Sequence, residues 1–220
     1  MRQIIGFIIF LLLTQVANAQ RYALVIGNSN YAVGALANPV NDADDMAALL
    51  KTKGFEVKKL RNANKRSIKE AIATFTNKLH QKEAVGLFYF AGHGIEVAGR
   101  NYLVPIGANI NNETDVEYES IDAGRVMSGM EYAGNNLNMV IRDACRNNPY
   151  ARSFRSNRQG LQRMGAKGSL VLYATSAGDI ASDGSGRNGL FTKHLMKAIN
   201  MPNLKVEDVY KETADSVYSA

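Results

Sequence analysis

The 220-residue chain is 46% hydrophobic and 21% charged, which excludes disorder by low hydropathy and suits one α/β domain with a sizeable core. Its net charge of +6 gathers between Lys51 and Lys69 and between Arg146 and Lys167. Neither run interleaves aromatics on a sheet face, so a solvated basic surface is expected and no nucleic-acid partner. The single cysteine excludes an internal disulfide and leaves any thiol chemistry to Cys145.

In chain order, Arg2, the apolar run Ile4 to Leu13 and the small-x-small pair Ala17 and Ala19 predict a signal peptide over residues 1–19, cleaved before Gln20. The run is short for a bilayer span, so an uncleaved anchor is the weaker reading. Residues 20–220, with Arg2 gone, would carry +5 and be exported, to the periplasm or beyond, without membrane attachment.

Arg21 to Gly27 reads as a buried strand ending at a glycine, followed by a loop with Asn28, Asn30 and Gly34. Asn38-Pro39 opens a helix with Asp42, Asp44 and Asp45 in or near its first turn, and Gly54 ends it. Phe55 to Leu60 is a strand, and Ser67 to Gln81 a helix with Ile68, Ala71, Ile72, Phe75 and Leu79 on one face. Ala84 to Ala91 is a third strand, ending in Gly92-His93-Gly94. A small hairpin over Ile95 to Ile106 and a helix over Asp122 to Ala133 follow. A fourth strand starts at Leu137 and ends at Asp143-Ala144-Cys145. Residues 146–166 form a polar, basic loop, and Gly168 to Thr175 a fifth strand. After a Gly/Ser/Asp loop come helices from Leu190 to Ile199 and from Val206. This alternation predicts a mostly parallel sheet covered by helices on both faces, with function beyond the carboxyl ends of its strands.

His93 and Cys145 both fall at such strand ends, whereas His80 and His194 lie on helices. A thiol attacks as thiolate and needs a neighbouring base, which makes His93 and Cys145 candidate partners. Glycines flanking His93 allow close approach of a substrate backbone, and the N–H groups of Gly94 and Cys145 are candidates for an oxyanion hole. Taken separately, a lone His or Cys is more often structural; the case rests on their paired placement.

Tyr89-Phe90-Ala91-Gly92-His93-Gly94 followed by Asp143-Ala144-Cys145-Arg146-Asn147-Asn148-Pro149 resembles the signature of the bacterial caspase-like peptidases, on the metacaspase side of the caspase family. Asn41-Asp42-Ala43, Tyr173-Ala174-Thr175-Ser176 and Asp183-Gly184-Ser185-Gly186-Arg187-Asn188-Gly189 agree in order. The resemblance implies a three-layer caspase-like sandwich and a cysteine endopeptidase with a His93/Cys145 dyad. It also implies an acidic pocket at Asp42 and Asp143 that accepts Arg or Lys before the scissile bond. A carboxylate pair suits a guanidinium fork, although Asp42 also reads as a first-turn helix residue and Asp143 as a strand-end cap. Such an enzyme would cut polypeptides and could process itself in the basic loop.

Two positions depart from the pattern. Arg142 stands where the family is usually apolar, so its charge is expected to reach solvent or a carboxylate, Asp143 included. The family also continues past the last helix into a further strand, so the C-terminal end is expected to be short. A catalytically silent scaffold of the same fold is the main alternative, against which stands the retention of both His93 and Cys145. No Gly-x-Gly-x-x-Gly or Walker pattern supports nucleotide binding, and no Cys/His cluster has metal-ligand spacing. No cofactor is expected; Asp179 and Asp183 alone are too few for a calcium assignment.

Overall fold

The computed structural model describes residues 19–80, 84–145 (Cys145 by its backbone), 150, 169–174 and 186–220. Residues 1–18 of the proposed signal peptide, the basic loop apart from Tyr150, and Asp179 and Asp183 lie outside these residues.

Five strands form a parallel sheet in the spatial order β2 (Glu56–Arg61), β1 (Arg21–Gly27), β3 (Val85–Val97), β6 (Leu137–Cys145) and β7 (Ser169–Tyr173). The apolar run of β1 explains its central place. Leu24 and Ile26 join one buried cluster with Ile68, Phe75 and Met130, while Ala23 and Val25 join another with Met46, Leu50, Phe191 and Leu195. The first cluster lies under α2 (Lys65–Leu79) and α4 (Ala123–Tyr132), the second under α1 (Pro39–Thr52) and α5 (Leu190–Asn200). Both faces of the strand are therefore dry, as a parallel sheet between helix layers requires. Burying each Leu, Ile or Phe contributes about 1.5–3 kcal/mol, so these two clusters dominate the favourable side of folding.

Helix ends follow local chemistry. Pro39 starts α1, and Asn64 caps α2 by accepting the Ser67 N–H at 2.9 Å. That cap begins α2 two residues earlier than Ser67, where the sequence reading put it. A short α3 (Glu113–Glu119), held by a capping box of Asn112 and Asp115, was not foreseen; seven residues give little periodicity to read. The last helix, α6 (Val206–Tyr218), packs on α5.

The third strand is longer than expected. β1 stops at Gly27, opposite Ala91, but β3 continues to Val97 by taking β4 (Arg100–Leu103) as an antiparallel partner from Gly94 onward. β4 in turn pairs with β5 (Ile121–Asp122). His93 thus sits inside a continuous strand, where β3 passes from its parallel to its antiparallel neighbour. Among the described residues, β7 pairs with β6 alone, and no helix is long and apolar enough to cross a membrane.

Candidate active site

Where β1 ends, the chain turns into a loop anchored by side-chain amides. The buried Asn28 donates through Nδ2 to the carbonyls of Ala63 and Val104, both at 3.3 Å, and its Oδ1 accepts the Ala63 N–H at 2.8 Å. Asn62 Oδ1 accepts the N–H groups of Ser29 and Asn30 at 2.9 and 3.1 Å. These bonds satisfy backbone groups that no strand pairs and fix the loop against β3.

The loop places two groups on His93. Tyr31 Oη accepts the His93 backbone N–H and donates to the Val104 carbonyl, each at 3.0 Å, and its ring lies 4.4 Å from the imidazole centroid. His93 Nε2 lies 2.5 Å from the Gly34 carbonyl oxygen. A carbonyl only accepts, so Nε2 carries a proton and the neutral ring keeps its lone pair on Nδ1. Gly92 makes the arrangement possible: at φ +153° it adopts a conformation few L residues take, and a Cβ there would stand 2.5 Å from Tyr31 Oη.

His93 and Cys145 are direct partners in the β3–β6 register. Neighbouring parallel strands are about 4.8 Å apart, which puts the two backbones within reach of a side-chain dyad. The Val104 N–H donates to the His93 carbonyl at 2.9 Å, so His93/Val104 is a bonded position of the β3–β4 ladder. The next pair, Gly94/Leu103, is then a non-bonded position, and the Gly94 N–H is turned away from β4, to the β6 side.

Two carboxylates meet on the α1/α5 side of the sheet. Asp42, 2% exposed in the first turn of α1, accepts the Gly189 N–H at 3.0 Å. Asp143, two residues before Cys145 and hence on the same strand face, accepts a hydrogen bond from Thr192 Oγ1 at 2.6 Å. The single Thr192 proton is committed to Asp143, so the buried Tyr89 hydroxyl donates to Thr192 Oγ1 at 2.5 Å. A Cβ on Gly189 would lie 3.2 Å from Asp42 Oδ2 and 3.6 Å from Asp143 Oδ2, which makes glycine the residue that leaves both oxygens room. Burial, then the charge of Asp143, pushes the Asp42 carboxyl up to about 7, against the pull of the Gly189 N–H. Burial and the same two carboxylates raise the Tyr89 hydroxyl well above its ordinary value, so it remains a donor.

The segment before α5 is tied to α1 by Arg187, whose guanidinium grips Asp45 at 2.9 and 3.1 Å, by Asn188 Nδ2 on Asp45 at 2.9 Å, and by Asn41 Nδ2 on the Arg187 carbonyl at 3.2 Å. Arg187 holds Asp45 below the usual carboxylate range. Asp45 is thereby charge-paired, whereas Asp42 shares its buried site with a second carboxylate, Asp143.

The structure thus brings together Asp42 and Asp143, and separately pairs His93 with Cys145 in register. His80 ends α2 with its ring edge-on to Tyr132 at 5.8 Å, and His194 lies on α5. For Arg142 the solvent alternative is corrected, and that of a carboxylate partner is not. Arg142 is 2% exposed, so it does not reach solvent; its guanidinium carbon lies 4.8 Å from the Tyr173 ring centroid. Among the described residues, no group of three or more His, Cys, Asp or Glu side chains is placed to hold a metal.

Sequence reasoning missed Tyr31, the Gly34 carbonyl, Thr192, Tyr89 and Gly189. A lone tyrosine in an Asn/Gly-rich loop was a usable signal for Tyr31. A backbone carbonyl leaves none, and Thr192 looks like any helix residue.

A mostly parallel sheet with a His and a Cys paired at the carboxyl-end region of its central strands is the arrangement of caspase-like α/β proteins. The Caspase domain family matches residues 20–220, and the chain belongs to that family, peptidase C14. It is 27% identical over 204 residues to human mucosa-associated lymphoid tissue lymphoma translocation protein 1, covering 90% of this chain and 24% of that protein. The mouse homolog is 26% identical over 204 residues, covering 90% of this chain and 23% of that one. The chain therefore spans about a quarter of these relatives' length. Among solved structures, the Drosophila initiator caspase Dronc superposes with a TM-score of 0.64 at 13% identity, over 90% of this chain and 72% of that one. A protein of Geobacter sulfurreducens gives 0.64 at 14%, over 89% and 88%. These likenesses support the fold.

Proposed function

We propose that the chain is an exported cysteine endopeptidase that cuts polypeptides after Arg or Lys. The observation that carries the reading is the register pairing of His93 with Cys145, together with the Gly34 carbonyl that commits Nε2 as a donor and leaves Nδ1 as the base. His93 Nδ1 takes the Cys145 thiol proton, and the thiolate attacks the scissile carbonyl. The developing oxyanion is stabilised by the N–H groups of Gly94 and Cys145. His93 then returns the proton to the leaving amine, and water, deprotonated by the same nitrogen, releases the acyl group and restores the thiol.

Asp42 and Asp143 are the specificity pair in this reading. With the pocket empty, their repulsion and burial keep a proton on Asp42 below about pH 7. A P1 guanidinium supplies the counter-charge, allows both groups to ionise and binds them through its fork.

The test is a peptide panel that varies only the P1 residue, run with wild type, Cys145→Ala and His93→Ala. Arg and Lys peptides should be cut and Asp peptides left intact. Cys145→Ala should be inactive and His93→Ala slower by about 10²–10⁴-fold. Undiminished turnover by Cys145→Ala would overturn the thiol mechanism. A folded wild type that binds the panel but cuts none of it would favour the silent-scaffold reading.

A further inference from the structure

On the sheet face away from the Asp42/Asp143 pair, α2 and α4 leave between them an open cavity of about 350 Å³, within the size range of small-molecule sites. Its chemistry changes along its length. At one end stand Lys65 and Lys69 from α2 and Arg125 from α4; at the other the walls are Ile72, Ala73 and Val126. Gly129 and Thr76 close the apolar end, where a Cβ on Gly129 would stand 3.2 Å from Thr76 Cγ2. The rise of an α-helix puts Lys65 and Thr76 about 16 Å apart.

Among the described residues, none of Lys65, Lys69 and Arg125 has an ion-pair partner. Lys65 and Lys69 are four residues apart on one helix face, a like-charge pairing that opposes helix formation. Burial, and then the charge of Lys69, lowers the Lys65 ammonium. Three carboxylates bear on this rim. Glu119, whose charge opposes the lowering of Lys65, accepts the Asn109 N–H at 3.3 Å. Asp122 is engaged as the α4 cap, accepting the Gly124 N–H at 2.7 Å, and lies 4.0 Å from Arg100; Glu117 is exposed. Ser120, 3% exposed, is also a lining residue, and its buried hydroxyl has no hydrogen-bond partner. A buried hydroxyl in that state costs free energy unless a ligand completes it.

We propose that this groove binds a small amphipathic carboxylate, with its head held by Lys65, Lys69, Arg125 and the Ser120 hydroxyl and its hydrocarbon tail along Ile72, Ala73 and Val126. A bare inorganic anion would leave the apolar walls uncovered, and a neutral hydrocarbon would leave three cations and a hydroxyl unanswered. The site is independent of the peptidase reading, since none of its residues belongs to the dyad or the acid pair.

Octanoate is the probe, titrated into the full-length protein by calorimetry and by NMR of methyl-labelled Ala, Ile and Val. Octanol supplies the tail without the charge; acetate and inorganic phosphate supply charge without the tail. Octanoate should bind with 1:1 stoichiometry, shift the Ala73 and Val126 methyls, and bind more tightly than any of the other three. The Lys65→Gln/Lys69→Gln variant should weaken it about tenfold or more, as expected for loss of charged hydrogen bonds. Ala73→Asp, at an exposed helix position, should weaken octanoate through the tail end and needs no core rearrangement. No octanoate binding, equal affinity in the double-Gln variant, or phosphate or octanol binding as tightly as octanoate would each overturn the proposal.

Discussion

Asp42→Asn gives the sharpest test of how the acid pair is built. The wild-type carboxyl is raised from 3.8 to about 7 by burial and by Asp143. That gap is about 3 units, and at 1.36 kcal/mol per unit it corresponds to about 4 kcal/mol as an upper bound. The direction follows from proton counting. The unfolded chain gives up this proton near pH 4, whereas the folded chain holds it until about pH 7. Between those values the folded state binds more protons, so raising the pH costs wild-type stability; above the window the loss is complete. Asparagine titrates in neither state. It keeps the Gly189 N–H on Oδ1 and offers an N–H from Nδ2 toward Asp143, so the site stays hydrogen-bonded. Relative to wild type, Asp42→Asn should therefore gain stability from about pH 4 to about pH 7 and level off above it, by up to about 4 kcal/mol. Urea unfolding of both chains in a Cys145→Ala background, at several pH values, reads that difference for the coupled pair while the carboxylates remote from it cancel. Parallel stability profiles across the range would refute the buried acid pair.

Argininamide affinity should improve about tenfold per pH unit up to about pH 7 and level off above it, because binding releases the Asp42 proton; a pH-independent affinity would break that link. Tyr31→Phe removes the hydroxyl that joins the His93 N–H to the Val104 carbonyl. It should cost about 1–3 kcal/mol of stability by urea unfolding and lower kcat more than it raises KM. Gly92→Ala, placed against Tyr31 at a positive φ, should cost about 1–3 kcal/mol or more and disturb the His93 chemical shifts. His194→Ala should leave turnover within about twofold, because His194 is not among the α5 residues buried in the fold. Wild type, but not Cys145→Ala, should yield fragments ending at one of Arg152, Arg155, Arg158 or Arg163, seen as intact mass over time; identical fragments from both would assign the cutting to a contaminant.

The sequence was most readable where one element buries one pattern. The apolar runs of β1 and β3, the striped face of α2 and the Asn-Pro start of α1 each announced themselves. The family motif then located Asp42, His93, Asp143 and Cys145, and the structure adds that Asp42 and Asp143 converge on Gly189. What stayed hidden was set by tertiary context. The hairpin expected over Ile95 to Ile106 is present as β3 and β4, but its first arm is continuous with β3 through His93, a stretch that depends on pairing with the distant β6. The Tyr89–Thr192–Asp143 chain joins residues 103 and 49 positions apart, for which no local pattern exists. For Arg142, expected to reach solvent or a carboxylate, the fold excludes solvent and sets Tyr173 against the guanidinium.

The group that orients His93 is a main-chain oxygen, and this changes how the site can fail. A carboxylate in that position would be open to deletion by a single codon change. The Gly34 carbonyl is present whatever residue is encoded there, so its contribution is protected against substitution and exposed instead to displacement. Insertions or deletions between Asn28 and Leu36, or loss of the amide anchors at Asn28 and Asn62, would shift the oxygen without touching either member of the proposed dyad. In this chain, variation in a loop's length should be more damaging to the histidine than variation in its composition.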